Sequence, residues 1–195
     1  MTVAAWAIVT ALNLGNLAAI WAGFIPVRAE GAVADVPLAP FFLTPLTATL
    51  VHAGLLHLLF NMLMHLFCGR AIESIIAGRQ FIILYVVGAY VAAAAQYAVE
   101  PLSPIPMVGA SGAVSAVIGA YSLSFGRPKM ITRSIKLNRW INALWLLAAW
   151  VVMQVMIGIA SGSHGVMLAT PAHIGGFLAG LLMQRPLLLW RYRTA

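Results

Sequence analysis

A serine and several histidines stand inside otherwise apolar segments of this 195-residue chain, where they could perform acyl transfer. Ser111 could serve as the nucleophile, and His173 could take its hydroxyl proton as general base. His57 and Asn61, one helical turn apart, could donate hydrogen bonds to the oxyanion that such a reaction forms. These residue types predict a catalytic dyad with a separate oxyanion site.

Small and polar residues near Ser111 predict access for substrate and water. Gly109 and Gly112 remove side chains on both sides of the serine, so that a substrate backbone can approach it. His52 lies five residues before His57. We expect these two histidines, with the nearby asparagine, to line a polar cavity that admits water.

The composition defines the medium in which these residues must work. Apolar residues make up 63% of the chain and charged residues 8%, whereas soluble chains carry about a quarter charged residues. This excludes a soluble domain and makes the lipid bilayer a partner. The formal net charge is +7, but the basic residues lie between apolar runs, where they meet lipid headgroups. No nucleic acid is therefore expected as a partner.

The elements that must position the polar residues are six predicted membrane-spanning helices. A bilayer core needs roughly 20 apolar residues per helix. Runs of that length lie at 3–24, 50–69, 80–99, 106–125, 139–160 and 166–184. The apolar segment 36–47 contains three prolines, which place it in a long first external loop rather than in a span. The predicted fold class is an all-α membrane protein, one six-helix domain over residues 1–195.

The basic residues predict the orientation of this bundle. If the N-terminus is cytoplasmic, every Lys and Arg except Arg28 falls on the cytoplasmic side. We therefore expect both termini in the cytoplasm and the bacterial inner (plasma) membrane as the location. Ser111, His173 and the pair His57 and Asn61 then reach a similar depth near the outer face, although three different helices carry them. Polar groups inside a span are costly, which makes them functional candidates.

A glycine face is expected to bring two of these helices together. Gly176 and Gly180 follow His173 by three and seven residues, on the same side of the sixth predicted helix. Small residues on one face let two helix backbones approach closely. The fourth predicted helix has small residues at i+4 spacing, namely Gly112, Ala116 and Ala120. We expect these two faces to pack against each other.

Four motifs, in this order, resemble those of the rhomboid intramembrane serine proteases. They are His52-Ala-Gly-Leu-Leu-His57-Leu-Leu-Phe-Asn61, Gly69-Arg-Ala-Ile-Glu73, Gly109-Ala-Ser111-Gly112 and Ala172-His173-Ile-Gly-Gly176-Phe-Leu-Ala-Gly180. The resemblance implies a six-helix bundle, a Ser111–His173 dyad, and an oxyanion site of His57, Asn61 and the serine N–H. It also implies substrates that are transmembrane helices, cut near their outer boundary with small residues at the scissile bond.

Two positions depart from the pattern of many family members. Phe42-Leu43-Thr44-Pro45 stands where many members have a Trp-Arg pair in the first loop. Ser115 stands where many have a tyrosine, stacked under the catalytic histidine, four residues after the serine. These departures concern the geometry of the loop and the packing of His173, not the identity of the dyad.

Other protease chemistries lack their residues. No histidine begins the HExxH pattern of a metalloprotease, and the only aspartate, Asp35, lies in a loop. We therefore expect neither a metal nor a cofactor, and a dyad without a carboxylate. Two alternatives remain. One is a catalytically silent rhomboid-like protein that binds and escorts membrane helices, and the other is a haem or metal carrier that uses His57, His65 and His173.

Overall fold

The computed structural model describes residues 1–31, 38–126, 130–160 and 169–193. Within these ranges the chain is helical, and the only strand-like pairing is a single antiparallel bridge between Phe24 and Met107. The α-helices of the described ranges are α1 (Thr2–Ala11), α2 (Gly15–Ala22), α3 (Thr44–Thr47), α4 (Leu55–Ile76), α5 (Gly78–Val99), α6 (Ser111–Ser124), α7 (Ile135–Ala160) and α8 (Thr170–Arg191). Short 3-10 helices lie at Pro26–Glu30, Phe41–Leu43 and Ala48–Leu50. The predicted all-α fold class is confirmed.

Helix α6 lies at the centre of the bundle and contacts α4, α5, α7 and α8. Each of its residues from Ser111 to Ala120 is buried, and most of them are Ala, Gly or Ser. Since its neighbours shield it from lipid, this helix does not need the length of a full span. Its 14 residues extend about 21 Å at roughly 1.5 Å per residue, against a bilayer core of about 30 Å.

Four other helices are long and apolar enough to cross a membrane. They are α4, α5, α8 and the Ile135–Ile157 part of α7. Large apolar side chains cover their outward surfaces, for example Leu63, Ile82, Leu144 and Leu182. Soluble proteins rarely expose contiguous apolar surfaces of this extent. The chain is therefore an integral membrane protein.

Helices α6 and α8 meet backbone to backbone at glycines. A Cβ atom added at Gly176 would overlap the carbonyl oxygen of Gly112, and one added at Gly180 would overlap the carbonyl oxygen of Ala116. Only glycine permits this approach, because any side chain would push the helices apart. The contact predicted between these two faces is present.

The prediction of one continuous first helix over 3–24 is wrong. Helix α1 ends at Ala11 and α2 begins at Gly15. Between them Asn13 has a φ angle of 54°, in the left-handed region. Asparagine adopts this conformation more readily than other residues with a side chain. The prediction rested only on the length of the apolar run, which does not reveal a break in the helix.

Two predicted helices begin later than expected. Helix α4 begins at Leu55 rather than 50, because Gly54 has an extended backbone with a φ angle of −176° that continues the preceding loop. Helix α6 begins at Ser111 rather than 106. Met107 pairs there with the first loop, and Gly109 turns the chain with a φ angle of 113°.

Two predicted helices continue further than expected, to Ile76 in α4 instead of 69 and to Arg191 in α8 instead of 184. Charged residues end an apolar run but do not end a helix, so helices extend beyond it. Helix α5 matches the predicted 80–99 within two residues, and α7 begins at Ile135 rather than 139. Residues 166–168 of the sixth predicted helix lie outside the described residues.

The proline-containing loop segment forms short helical turns from residue 41 to residue 50, as a loop rather than a span. The guanidinium of Arg28 donates a hydrogen bond to the carbonyl of Ala39 at 2.9 Å and lies 5.7 Å from the centre of the Phe41 ring. The Tyr90 hydroxyl donates to the carbonyl of Phe42 at 2.8 Å, which ties the loop to α5. Residues 36 and 37 of the predicted segment lie outside the described residues.

Candidate active site

The predicted nucleophile lies at the first residue of the central helix. Ser111 begins α6, and Gly109 precedes it with a φ angle of 113°. An L-residue with a side chain rarely adopts that angle, so the glycine makes the turn that delivers the serine to the start of the helix. The position of Ser111 is therefore set by the backbone of this turn and of the helix that follows it.

The predicted base lies in the first turn of α8. Pro171 occupies the start of this helix, where its fixed φ angle fits and no N–H is needed. His173 follows two residues later, and its Nε2 lies 2.8 Å from the Ser111 Oγ. This distance is within the range required for proton transfer. The two side chains are 5% and 6% exposed, so the hydrogen bond is shielded from bulk solvent.

The second ring nitrogen of His173 has no hydrogen-bond partner among the described residues, although it is buried. If Nε2 accepts the serine proton, Nδ1 must carry the hydrogen of the neutral ring. No carboxylate orients this nitrogen within the described part of the chain. The ring orientation therefore depends on the bond to Ser111 and on the side chains packed around it.

The structure places His57 and Asn61 on α4, beside the segment that leads into the nucleophile. A Cβ atom added at Gly109 would come within 2.6 Å of the His57 ring. Asn61 is fully buried, and its Nδ2 donates to the His57 carbonyl at 2.8 Å. Its Oδ1 has no partner among the described residues. The amide retains one N–H that this bond does not use.

The two glycines expected to open the site have different surroundings. Gly109 makes room for the His57 ring, as described above. A Cβ atom added at Gly112 would lie 2.6 Å from the Cβ of Ala92. Gly112 thus allows α5 to approach α6, and its missing side chain serves helix packing rather than an opening toward substrate.

His52 is buried rather than lining an open surface. Its Nε2 accepts a hydrogen bond from the backbone N–H of Ala110, at 3.3 Å, and its ring centre lies 5.0 Å from that of His57. Burial, and secondarily the neighbouring His57, lowers the pKa of His52 to about 3. The ring is therefore neutral at pH 7, which leaves a nitrogen lone pair free to accept this bond.

Sequence reasoning missed one neighbour of the dyad. Trp150, on α7, packs against His173 with ring centres 6.4 Å apart and ring planes at 75°. Its indole N–H donates to the Ser115 Oγ at 2.7 Å. A buried indole needs an acceptor, and Ser115 is one of four serines on α6. The need of a buried indole for an acceptor was the only signal in the sequence. It does not identify which tryptophan lies beside Ser115 and His173.

His65 lies away from the dyad, against α5. Its ring contacts the rings of Phe81 and Tyr85 edge-on, with centres 5.7 and 5.4 Å away. The contact of His65 with the neighbouring helix is thus aromatic. In the described ranges no group of three or more metal-ligating side chains comes together. His57, His65 and His173 thus do not form one such group.

The fold and the site define a bundle of membrane helices with a serine–histidine pair buried at its centre. The family model of the Rhomboid domain matches residues 42–190, which contain every motif residue described above. The chain therefore belongs to the rhomboid family.

Curated relatives carry the same family name. The chain is 30% identical to the rhomboid protease GlpG of Haemophilus influenzae over 134 residues, which are 69% of this chain and 64% of that protein. It is 27% identical to the rhomboid protease GluP of Bacillus subtilis over 136 residues, 69% of this chain but 24% of GluP. Mouse rhomboid-related protein 2 is 27% identical over 141 residues, 43% of its length. The matched part thus spans from about a quarter to under two thirds of these relatives.

Proposed function

We propose that the protein is a serine endopeptidase that hydrolyses peptide bonds in or near the transmembrane helices of other membrane proteins. The observation that carries the proposal is the 2.8 Å separation between the Ser111 Oγ and the His173 Nε2, in a buried site. Family membership and relatives that are named proteases support the same reaction. Both members of the pair would serve no purpose in a protein that only binds helices.

The proposed reaction has two halves. His173 takes the hydroxyl proton of Ser111 while the Oγ attacks the scissile carbonyl carbon, and the resulting tetrahedral oxyanion accepts hydrogen bonds from the Ser111 N–H, His57 and Asn61. The protonated histidine then gives its proton to the leaving amine, which leaves an acyl-enzyme. Water, deprotonated by His173, attacks the ester carbonyl, and return of the proton to Oγ releases the new carboxyl terminus.

The surroundings of the pair support a membrane-helix substrate. Helix α6 is enclosed by helices whose outer surfaces face lipid. A substrate peptide bond can therefore reach Ser111 only from between these helices or from the end of the bundle at which Ser111 lies. A helix substrate would also have to unwind locally, because the carbonyl of a formed helix is hydrogen-bonded within its own chain.

The proposal is tested by incubating the purified protein, in detergent and in liposomes, with a panel of single-span membrane proteins. Cleavage inside or next to a span, unaffected by a metal chelator, is the expected result. Binding without cleavage across the panel would favour the silent escort protein. Inhibition by the chelator would favour a metal-dependent site. A visible absorption band in the purified protein would favour the haem carrier.

The oxyanion site gives a graded prediction. Asn61→Ala and His57→Ala should each lower kcat by roughly 10²–10³-fold, the usual loss for one oxyanion donor, with little change in KM. Leu59→Ala is the matched control, since this α4 side chain is 55% exposed on the lipid side. Steady-state cleavage of one panel substrate measures all three variants. Wild-type kcat in both Asn61→Ala and His57→Ala would show that α4 supplies no oxyanion donor.

The proposed orientation is tested with single cysteines in a Cys68→Ala background. Leu102→Cys and Met130→Cys are suitable because both side chains are about two thirds exposed, at 70% and 68%. An impermeant thiol reagent applied to intact cells should label residue 102 and not residue 130. A reporter fused after residue 195 should be cytoplasmic. The opposite pattern would place the dyad near the cytoplasmic face.

A further inference from the structure

Trp150 links α7 to the backbone of the nucleophile through two hydrogen bonds. The indole Nε1–H donates to the Ser115 Oγ at 2.7 Å, and the Ser115 hydroxyl donates to the Ser111 carbonyl at 2.6 Å. Trp150 is 3% exposed and Ser115 is fully buried. The Ser115 hydroxyl therefore acts as both acceptor and donor, and it fixes the position of the indole relative to Ser111.

The same indole packs against the catalytic base. Its ring centre lies 6.4 Å from that of His173, with the planes at 75°. His173 makes one side-chain hydrogen bond, to Ser111, and its Nδ1 has no partner in the described residues. A single hydrogen bond does not by itself fix the side-chain torsions of the imidazole. The side chains packed against the ring must therefore fix its orientation together with this bond.

From these contacts we infer that Trp150 is a positioning residue for His173 and that Ser115 holds the indole in place; this inference rests on the proposed function. The ring of Trp150 keeps the Nε2 of His173 directed at the Ser111 Oγ through both proton transfers. The indole N–H bonds to Ser115 and not to Ser111 or His173, so the proposed role of Trp150 is indirect. Its contribution is to prevent a misplacement of the imidazole, and a shift of about 1 Å can cost on the order of 10²-fold in rate.

The decisive variants separate ring packing from the hydrogen bond. Trp150→Leu removes the aromatic surface and the donor, and Trp150→Phe keeps most of the surface. Ser115→Ala removes the hydroxyl that accepts from the indole and donates to the Ser111 carbonyl. Trp145→Leu is the matched control on the same helix, because Trp145 is 69% exposed. Each variant is purified, its thermal unfolding is recorded, and its kcat, KM and rate of labelling by a fluorophosphonate are measured.

We expect Trp150→Leu to lower kcat and the labelling rate by roughly 10²-fold with KM within about twofold of wild type. Trp150→Phe should recover most of this loss, and Ser115→Ala should lose about tenfold. Trp145→Leu should behave as wild type. A labelling rate in Trp150→Leu equal to that of wild type would overturn the inference. Equal losses in Trp150→Phe and Trp150→Leu would also overturn it, since the ring surface would then have no role.

Two safeguards keep the test decisive. If Trp150→Leu does not fold, Ser115→Ala decides, because it leaves the indole and changes a single atom; wild-type labelling there would overturn the inference. Absence of labelling and cleavage in the wild-type protein would instead refute the proposed function. Failure of the inference alone would show as a fully active wild type whose Trp150 and Ser115 variants are equally active.

Discussion

Replacing Ser111 with alanine is expected to abolish cleavage of membrane substrates, and replacing His173 with alanine should do the same. Loss of either member of such a pair typically lowers kcat by about 10⁴–10⁶-fold, because neither can act without the other. A fluorophosphonate should label the wild-type protein and not Ser111→Ala. Cleavage assays and labelling on gels measure both effects.

Ser122→Ala is the matched control for this experiment. Ser122 is also buried in α6, but its hydroxyl donates to the Gly119 carbonyl at 2.7 Å within the same helix. Its loss should leave cleavage and labelling near the wild-type level. Labelling that persists in Ser111→Ala would show that another residue is the nucleophile, whatever the activity of Ser122→Ala.

Gly180→Ala should lower both thermal stability and activity, although alanine is ordinarily the better helix former by about 1 kcal/mol. The added methyl group would overlap the Ala116 carbonyl oxygen, which belongs to the backbone and cannot rotate away. Helices α6 and α8 must then separate, and the distance from His173 to Ser111 must grow. We expect cleavage to fall by at least about 10²-fold.

The control for this substitution is Gly15→Ala in α2, where a Cβ atom would meet no other atom within 4 Å. Here the same chemical change should be neutral or slightly stabilising. Thermal unfolding in detergent and cleavage of one substrate are measured side by side. Wild-type behaviour of Gly180→Ala would mean that α8 and α6 are not in backbone contact at this glycine.

The proximity of Ser111 and His173 could be predicted from the sequence because the membrane makes polar residues conspicuous. In a chain with 8% charged residues, Ser111 and His173 stand out, and counting spans brings them to one depth. The glycine face of α8 could be predicted from helical spacing for a similar reason. In both cases a simple physical constraint, the cost of polar groups in lipid or the size of a side chain, leaves few arrangements.

What the sequence could not predict depends on particular backbone angles and on partners distant in the chain. The break at Asn13 follows from one left-handed residue, which an apolar count does not register. The partner of Ser115 lies 35 residues away on another helix, and nothing in the spacing identifies it as Trp150. Gly112 illustrates a third limit, since a missing side chain can serve a neighbouring helix as readily as a substrate.

The short length of α6 bears on how deep in the membrane Ser111 lies. A helix of about 21 Å in a hydrocarbon layer of about 30 Å cannot reach both faces, and Ser111, the proposed nucleophile, is its first residue. In the proposed orientation, the length of α6 therefore determines how far below the outer membrane surface Ser111 lies. In the proposed reaction, lengthening the apolar span of a substrate would move the bond presented at that depth. The cut position would then follow span length, and membrane thickness would become a determinant of which bond is broken.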